Sequence, residues 1–233
     1  PEPEKVVCAA AKLCYATEAN RVFEVDSGEL ETFLRRLMTM GHMSPFEHAN
    51  FTFYIQGVSR AMTHQLVRHR LASYSQRSQR YVDHTEFEYV TPPSLEGQTV
   101  VDESGVERDA VEFYNEFMAR CAKAYDLLQE ALGGASEAAN QDARYVLPNA
   151  AETKIVMTVN ARELLHFLAE RLCLRAQWEI RRVAEQMLEQ ARAAAPLLFA
   201  AAGPKCVGLG HCPEGKLSCG RYSEMQKRYG GKI

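Results

Sequence analysis

The chain has no run of apolar residues near the ~20 that a membrane-spanning helix needs. Its opening text, PEPEKVVCAAAKLCYA, has acids where a secretory leader is basic. Both absences predict a soluble, cytoplasmic protein with no membrane partner. The seven cysteines are odd in number and scattered, which argues against a disulfide framework and for reduced thiols. The P-loop and the H-E-x-x-H zinc motif are missing. So is the dinucleotide fingerprint G-x-G-x-x-G, since Gly208 and Gly210 are followed by Pro213 where a third glycine would stand. With 46% hydrophobic and 24% charged residues over 233 positions, the chain is globular and can build a substantial core.

The most informative absence is local. From His48 to Val82 there is no Asp or Glu, yet there are five arginines: Arg60, Arg68, Arg70, Arg77 and Arg80. That stretch carries +5 in a chain of net charge −3, so the remainder sums to −8. No lysine occurs between Lys12 and Lys123. A solvated basic face usually mixes in lysine. Exclusive use of the planar, permanently charged fork fits bidentate recognition of phosphate or carboxylate. The blander alternative is a surface stretch balanced by acids elsewhere in the fold.

Periodicity places these groups. Residues 27–40 read as a helix, with Asp26 and Glu29 at capping-box spacing, Leu30, Phe33, Leu34 and Leu37 on one stripe, and Gly41 as the stop. HANFTFYIQG alternates Phe51, Phe53 and Ile55 against Thr52, Tyr54 and Gln56, a strand ended by Gly57. Residues 59–70 look helical, with Met62, Leu66 and His69 on one side and Gln65 and Arg68 a turn apart. The Ser/Gln/Arg-rich text after Arg70 has neither period and is expected to be a binding loop. A long helix over 105–132 should bury Phe113, Phe117, Cys121, Ala124, Leu128 and Leu132 before Gly133-Gly134 breaks it. Ser136 caps a short helix reaching Arg144, TKIVMTV is strand-like, Asn160 and Glu163 open another helix, and a last one runs from about Gln177 to Ala195. The sum is an α+β class, with helices packed around a small, mainly antiparallel sheet. Residues 1–202 are expected to form a single catalytic domain and residues 203–233 a Gly/Cys-rich tail.

That tail places Cys206, His211, Cys212 and Cys219 within fourteen residues, among glycines. Three thiolates and an imidazole make a Cys₃His zinc set in principle. The C-x₂-C knuckle is absent, however, and the adjacent His211 and Cys212 cannot easily both reach one ion. Free thiols on a flexible tail are the expectation here, with no metal.

Arg68-His69-Arg70 followed by Ser78 is the pattern R-H-R-x₇-S, and with it the chain resembles the flavin-dependent thymidylate synthases. The resemblance extends to GHMSPFEH, QLVRHR, ARYVLP, NARELLHFLAERL and RAQWEIR, blocks that touch most of residues 40–185. It implies reductive methylation of dUMP to dTMP, with methylenetetrahydrofolate as carbon donor, FAD as hydride carrier and NADPH as reductant. It implies a homotetramer with active sites shared between subunits, and a flavin bound outside a Rossmann crossover. Carried onto matching positions, Ser44, Arg68, His69, Arg70, Asn160, Ala161, Arg162 and His166 contact FAD. Gln65, Arg68, Gln76, Arg77, Ser78, Gln79, Arg80, Arg144 and Arg171 contact dUMP, with Gln76 touching both ligands. Arg171 resembles the arginine that assists ionisation of the uracil N3 and is the catalytic candidate. His42 matches a histidine near flavin and folate. Gln76 departs from the pattern, because some members carry an acid there.

The residue types suit the role. Two neighbouring anions call for rigid forked cations and backbone N–H groups, and the start of the helix after Asn160 offers its dipole to a phosphate. Surface pairing with nearby acids, such as Glu170 beside Arg171, is the competing explanation for Arg144, Arg162 and Arg171. Ser78 as a nucleophile with His69 as base lacks the acid that would orient the histidine. Cys173 or Cys212 as a covalent nucleophile is disfavoured, Cys173 by its apolar helical context. An RNA-binding module is the rival from another class, with Tyr74 and Tyr81 stacking bases. A pI near 6.2 weighs against it.

Overall fold

A computed structural model of the chain describes residues 2–16 and 26–230. Ten α-helices and five strands follow in the order α1 Pro3–Leu13, α2 Ser27–Thr39, β1 Asn50–Ser59, α3 Arg60–Leu66, β2 Ala72–Gln76, β3 Thr99–Val101, β4 Glu107–Asp109, α4 Ala110–Ala131, α5 Glu137–Ala143, β5 Glu152–Asn160, α6 Ala161–Arg171, α7 Trp178–Ala194, α8 Pro196–Phe199, α9 Lys205–Leu209 and α10 Tyr222–Tyr229. The α+β class expected from the sequence is the one observed. One sheet has the order β1-β5-β2, and a β3-β4 hairpin pairs antiparallel with Thr99 opposite Asp109. Thr52 bonds Thr158 through their hydroxyls at 3.0 Å, and the Arg60 N–H donates to the Ala151 carbonyl at 3.0 Å. Numbers rise along β1 as they fall along β5, so that pair is antiparallel. Among the described residues no helix is long and apolar enough to cross a membrane.

The chain folds into two compact units. One comprises Pro1–Phe53, Leu66–Tyr74 and Met157–Ile233, and the other comprises Tyr54–Gln65 and Ser75–Val156. In the first, capping chemistry starts the helices as the sequence predicts. Asp26 accepts from the Gly28 and Glu29 amides and Asn160 from the Glu163 amide, while Gln177, expected only as the approximate start of its helix, accepts from those of Glu179 and Ile180. Their apolar faces close a core of Val7, Leu34, Phe46, Leu164, Phe167, Leu168, Ile180 and Phe199, all buried. The Phe199 ring stands edge-on to Phe51 at 5.3 Å.

In the second unit Met62, Tyr125 and Ile155 are buried, and a small cluster gathers Phe87, Met118 and Ala151 with Tyr89 and Tyr114 against them. Here the expected buried face of α4 is corrected. Phe113 and Phe117 are 40% and 51% exposed, and Leu128 and Leu132 are exposed too, whereas Ala110, Met118, Tyr125 and Gln129 face inward. The helix is apolar on two faces, and periodicity alone does not choose between them. The choice is made by Gln129, whose amide donates to Asn140 at 2.7 Å and to Asp83 at 3.2 Å, which seats that face.

Three boundaries also differ from expectation. Strand β1 runs through Gly57 to Ser59: Gly57 takes a φ of +69° and its N–H bonds the Glu152 carboxylate at 2.9 Å, a local break rather than an end. The helix expected over 105–132 begins at Ala110, capped by Asp109, because residues 107–109 form a strand. Helix α3 stops at Leu66 instead of reaching Arg70, and the expected loop after it contains strand β2.

Candidate active site

Tyr74 explains the early end of α3. Its hydroxyl lies 2.9 Å from both the Leu66 and the His69 carbonyl oxygens, which fixes a tight turn where a helix would have continued. Burial, then the Glu163 charge, raises the Tyr74 pKa to about 12, so the hydroxyl stays a donor. The turn sends His69 inward and leaves Arg68 and Arg70 exposed on either side. Neither arginine has an ion-pair partner among the described residues. Two flanking guanidiniums without carboxylates suit an oxygen-rich anion such as a diphosphate.

Around His69 the groups interlock. Its Nε2 accepts from Arg171 Nε at 3.0 Å, and its Nδ1 lies 3.5 Å from a Glu163 oxygen. The ring meets Phe167 edge-on at 4.9 Å. Burial, with the Arg171 and His166 charges adding to it, pushes the ring pKa down to about 4. The imidazole is therefore neutral at pH 7, with its proton on Nδ1 toward Glu163 and a lone pair on Arg171. His69, Glu163 and His166 have ligand-type atoms mutually within 4.8 Å. Two of those donors are committed to each other and to a guanidinium, which disfavours a cation there. What results is an arginine aimed by a neutral histidine. Arg171 does not pair with Glu170, which bridges to Lys205 instead.

Other positions in this unit are less committed. Arg162 pairs with Glu47 at 2.6 Å on an exposed surface, the competing explanation weighed for it above. Ser44 opens a short 3-10 turn, and both it and His42 are exposed. The Ala161 amide is taken by the Ala49 carbonyl at 2.8 Å and the Glu163 amide by Asn160 at 2.9 Å. The first turn of α6 thus offers fewer free N–H groups than the sequence suggests.

The second unit gathers Gln65, Gln76, Arg77, Ser78, Gln79, Arg80 and Arg144. Arg60, Arg77 and Arg144 are electrostatic neighbours: burial, then the Arg77 and Arg144 charges, lowers the Arg60 pKa. Arg60 donates to the Arg77 carbonyl at 2.7 Å. Glu152, itself buried, lies 3.7 Å from Arg77 and holds Gly57 with its other oxygen. Arg80 pairs with Glu137, and Arg144 bonds the Gln141 carbonyl at 3.1 Å with no carboxylate partner among the described residues. The Nε–H donors of Arg60, Arg77 and Arg80 are buried and unpartnered. Each such donor is costly unless an acceptor arrives. The Ser78 hydroxyl accepts from the Arg80 amide at 3.1 Å and has no imidazole partner among the described residues, which leaves it without a base.

Gln76 donates to Thr63 Oγ1 at 2.9 Å and to Thr153 Oγ1 at 3.3 Å, and the Thr63 hydroxyl itself donates to the Arg60 carbonyl at 3.1 Å. An acid at this position needs a donor that Thr63 has already committed. Gln76→Glu is expected to lower stability by about 1–3 kcal/mol at pH 7, read by urea unfolding. An unchanged midpoint contradicts this account of the amide.

Four contributors lie outside the site residues assigned from the sequence. Glu163 reads as a helix-capping residue, and its carboxylate is instead beside His69. Tyr74 carries no motif, and Arg60 lies outside the signature. His84 is buried, has an unpartnered Nε2, and is pushed down to about 4 by burial and then by Arg77 and Arg60. The acid-free stretch was a usable signal for Arg60 alone.

Residues 1–197 match the family model described as thymidylate synthase complementing protein. A protein of Clostridium tetani named flavin-dependent thymidylate synthase is 46% identical, over 98% of this chain and 93% of its own length. Proteins of the same name from Nitratidesulfovibrio vulgaris and Pyrococcus abyssi are 48% and 42% identical, over 97% and 92% of this chain and 93% and 86% of theirs.

Proposed function

The chain belongs to the family of thymidylate synthase complementing proteins, the flavin-dependent thymidylate synthases, and we propose that its two sets of cationic residues hold FAD and dUMP respectively. As a member of that family it is a methyltransferase that converts dUMP to dTMP. This premise displaces the RNA-binding reading of the arginine-rich stretch. Ser44, Arg68, His69, Arg70, Asn160, Ala161, Arg162 and His166 are assigned to FAD. Gln65, Arg77, Ser78, Gln79, Arg80 and Arg144 are assigned to dUMP, with Arg68 and Arg171 adding to that set and Gln76 serving both. FAD, when bound, supplies the hydride that completes the methyl group. Methylenetetrahydrofolate is the carbon donor and NADPH the reductant.

The observation that carries the dUMP assignment is the clustering of Arg77 and Arg144 around Arg60, with Arg144 lacking a carboxylate partner among the described residues. A nucleotide phosphate supplies the negative charge this cluster lacks. Arg171 is held by a neutral imidazole, so its charge is not cancelled locally. Beside a uracil it favours the negative charge that builds as C5 becomes nucleophilic. No enzyme nucleophile is needed, in keeping with the Ser78 hydroxyl being engaged by Arg80.

The same reading includes a homotetramer and a cytoplasmic location. Exposed Phe113, Phe117 and Leu128 on α4, with Leu132 just past its end, form an apolar face suited to a second copy. All seven cysteines are free thiols, as a reducing compartment keeps them.

The test is spectroscopic. Purified protein is expected to be yellow, or to become so on FAD addition, and then to oxidise NADPH only when dUMP is present. Failure to take up FAD, or NADPH oxidation indifferent to dUMP, overturns the assignment.

A further inference from the structure

Beyond the residues assigned above, the structure brings together thiols that are far apart in the sequence. Cys173 lies just past the end of α6, and Cys206, Cys212 and Cys219 follow in the tail. All four line one cavity of about 210 Å³, with Arg171, Arg175, Lys205, Glu214 and Met225 also on its wall. The three tail positions lie beyond residue 197, where the family match stops. All four are free thiols.

The donor set differs from the one the sequence suggests. His211 is exposed, its Nδ1 lies 3.0 Å from the Leu209 carbonyl oxygen, and it is not among the residues lining the cavity. Cys173 takes its place on the cavity wall. The difficulty of adjacent His211 and Cys212 reaching one ion disappears, because only Cys212 is asked to.

We infer that Cys173, Cys206, Cys212 and Cys219 form a tetrathiolate site for a single Zn²⁺ ion that staples the C-terminal tail to the end of α6. Four thiolates are a regular structural zinc set, and Zn²⁺ imposes no geometry beyond the tetrahedron its ligands choose. No three of these sulfurs yet lie within 4.8 Å of one another. Zn–S bonds near 2.3 Å require about 3.8 Å between sulfurs. Closure therefore needs side-chain rotation, and the setting permits it: Cys219 is exposed and the other three are only half-buried. Gly210 and Gly220, at φ +73° each, place turns next to Cys212 and Cys219, where the chain must bend around an ion.

Two further observations favour a metal over chance proximity. From Lys205 to Glu224 no residue is buried, although the segment forms α9, a 3-10 turn and defined bends. Such a segment has little apolar burial to offset the entropy of ordering, and a structural metal supplies that stabilisation directly. Zn²⁺ with four thiolates carries a charge of −2, and Arg171 lines the same wall with no carboxylate partner among the described residues, whereas Arg175 and Lys205 there are paired with Glu214 and Glu170.

The experiment is elemental analysis of the full-length protein after dialysis, with mercurial titration of the thiols against a zinc indicator. One zinc per chain is expected, released as the thiols are modified. Replacing zinc by Co²⁺ should give the intense visible bands of tetrahedral thiolate coordination. Cys206→Ser and Cys212→Ser should lower zinc content at least tenfold. His211→Ala should retain it, which separates this set from Cys₃His, and Cys8→Ser, a buried thiol outside the cavity, should retain it too. If the serine variants fail to fold, wild-type stoichiometry, the cobalt spectrum and the His211→Ala result still decide. Absence of zinc, zinc lost with His211→Ala, or iron with acid-labile sulfide in its place overturns the inference.

Discussion

Arg171→Ala should reduce tritium release from [5-³H]dUMP by at least 10²-fold, the scale on which one preorganised electrostatic donor acts, while FAD affinity falls far less. The reason lies in what holds the side chain. Nε is fixed by His69 at 3.0 Å, and no carboxylate among the described residues neutralises the guanidinium. Removing it takes away a positive charge positioned for the uracil, which is a loss felt as C5 becomes nucleophilic rather than when flavin binds. Tritium release reports proton loss from C5, and a flavin titration reports the cofactor site. The two measurements therefore separate chemistry from architecture. Arg171→Lys is not a conservative rescue, since an ammonium cannot bond His69 and offer a second fork together. It should recover little of the activity. Equal losses in tritium release and FAD retention reassign Arg171 to a structural role.

Much of this arrangement was legible in the chain. Capping residues Asp26, Ser136 and Asn160 start their helices because a side-chain oxygen beside free amides is a local event, decided within four residues. The alternation of Phe51, Phe53 and Ile55 is likewise local and survives in β1. What failed was decided at a distance. Which face of α4 is buried depends on Asp83 and Asn140, and the end of α3 depends on a tyrosine hydroxyl eight residues on. The arginine-rich stretch was visible by its missing acids. The compensating groups, Glu152 for Arg77 and Glu137 for Arg80, come from elsewhere in the sequence and could not be paired by inspection. Glu163 shows a third kind of failure. Its spacing from Asn160 satisfies a capping box, and its amide is capped, while its carboxylate serves His69. One residue answers to two patterns, and only the shorter-range one is written in the sequence.

The same two buried histidines that mark the candidate sites should make the protein acid-labile well above the carboxylate range. His69 and His84 are both pushed from the ordinary 6.5 to about 4, burial being the larger cause in each and arginine charge the next. The folded protein thus resists a proton that the unfolded chain accepts. Between pH 6.5 and pH 4 the unfolded state binds more protons, so stability is full above 6.5 and is lost as the pH falls toward 4. Going from pH 7 to pH 5, each histidine accounts for about 2 kcal/mol, and the pair for about 4 kcal/mol. Asp83, whose pKa is lowered from 3.8, titrates below this window and does not contribute to it. Urea unfolding at fixed protein concentration, followed at pH 7 and pH 5, should show that difference. His84→Gln should remove about half of the pH dependence whatever its cost at pH 7, because the glutamine does not titrate. A stability flat from pH 7 to pH 5, or a pH dependence unchanged in His84→Gln, contradicts the neutral, buried imidazoles on which the placement of Arg171 also rests.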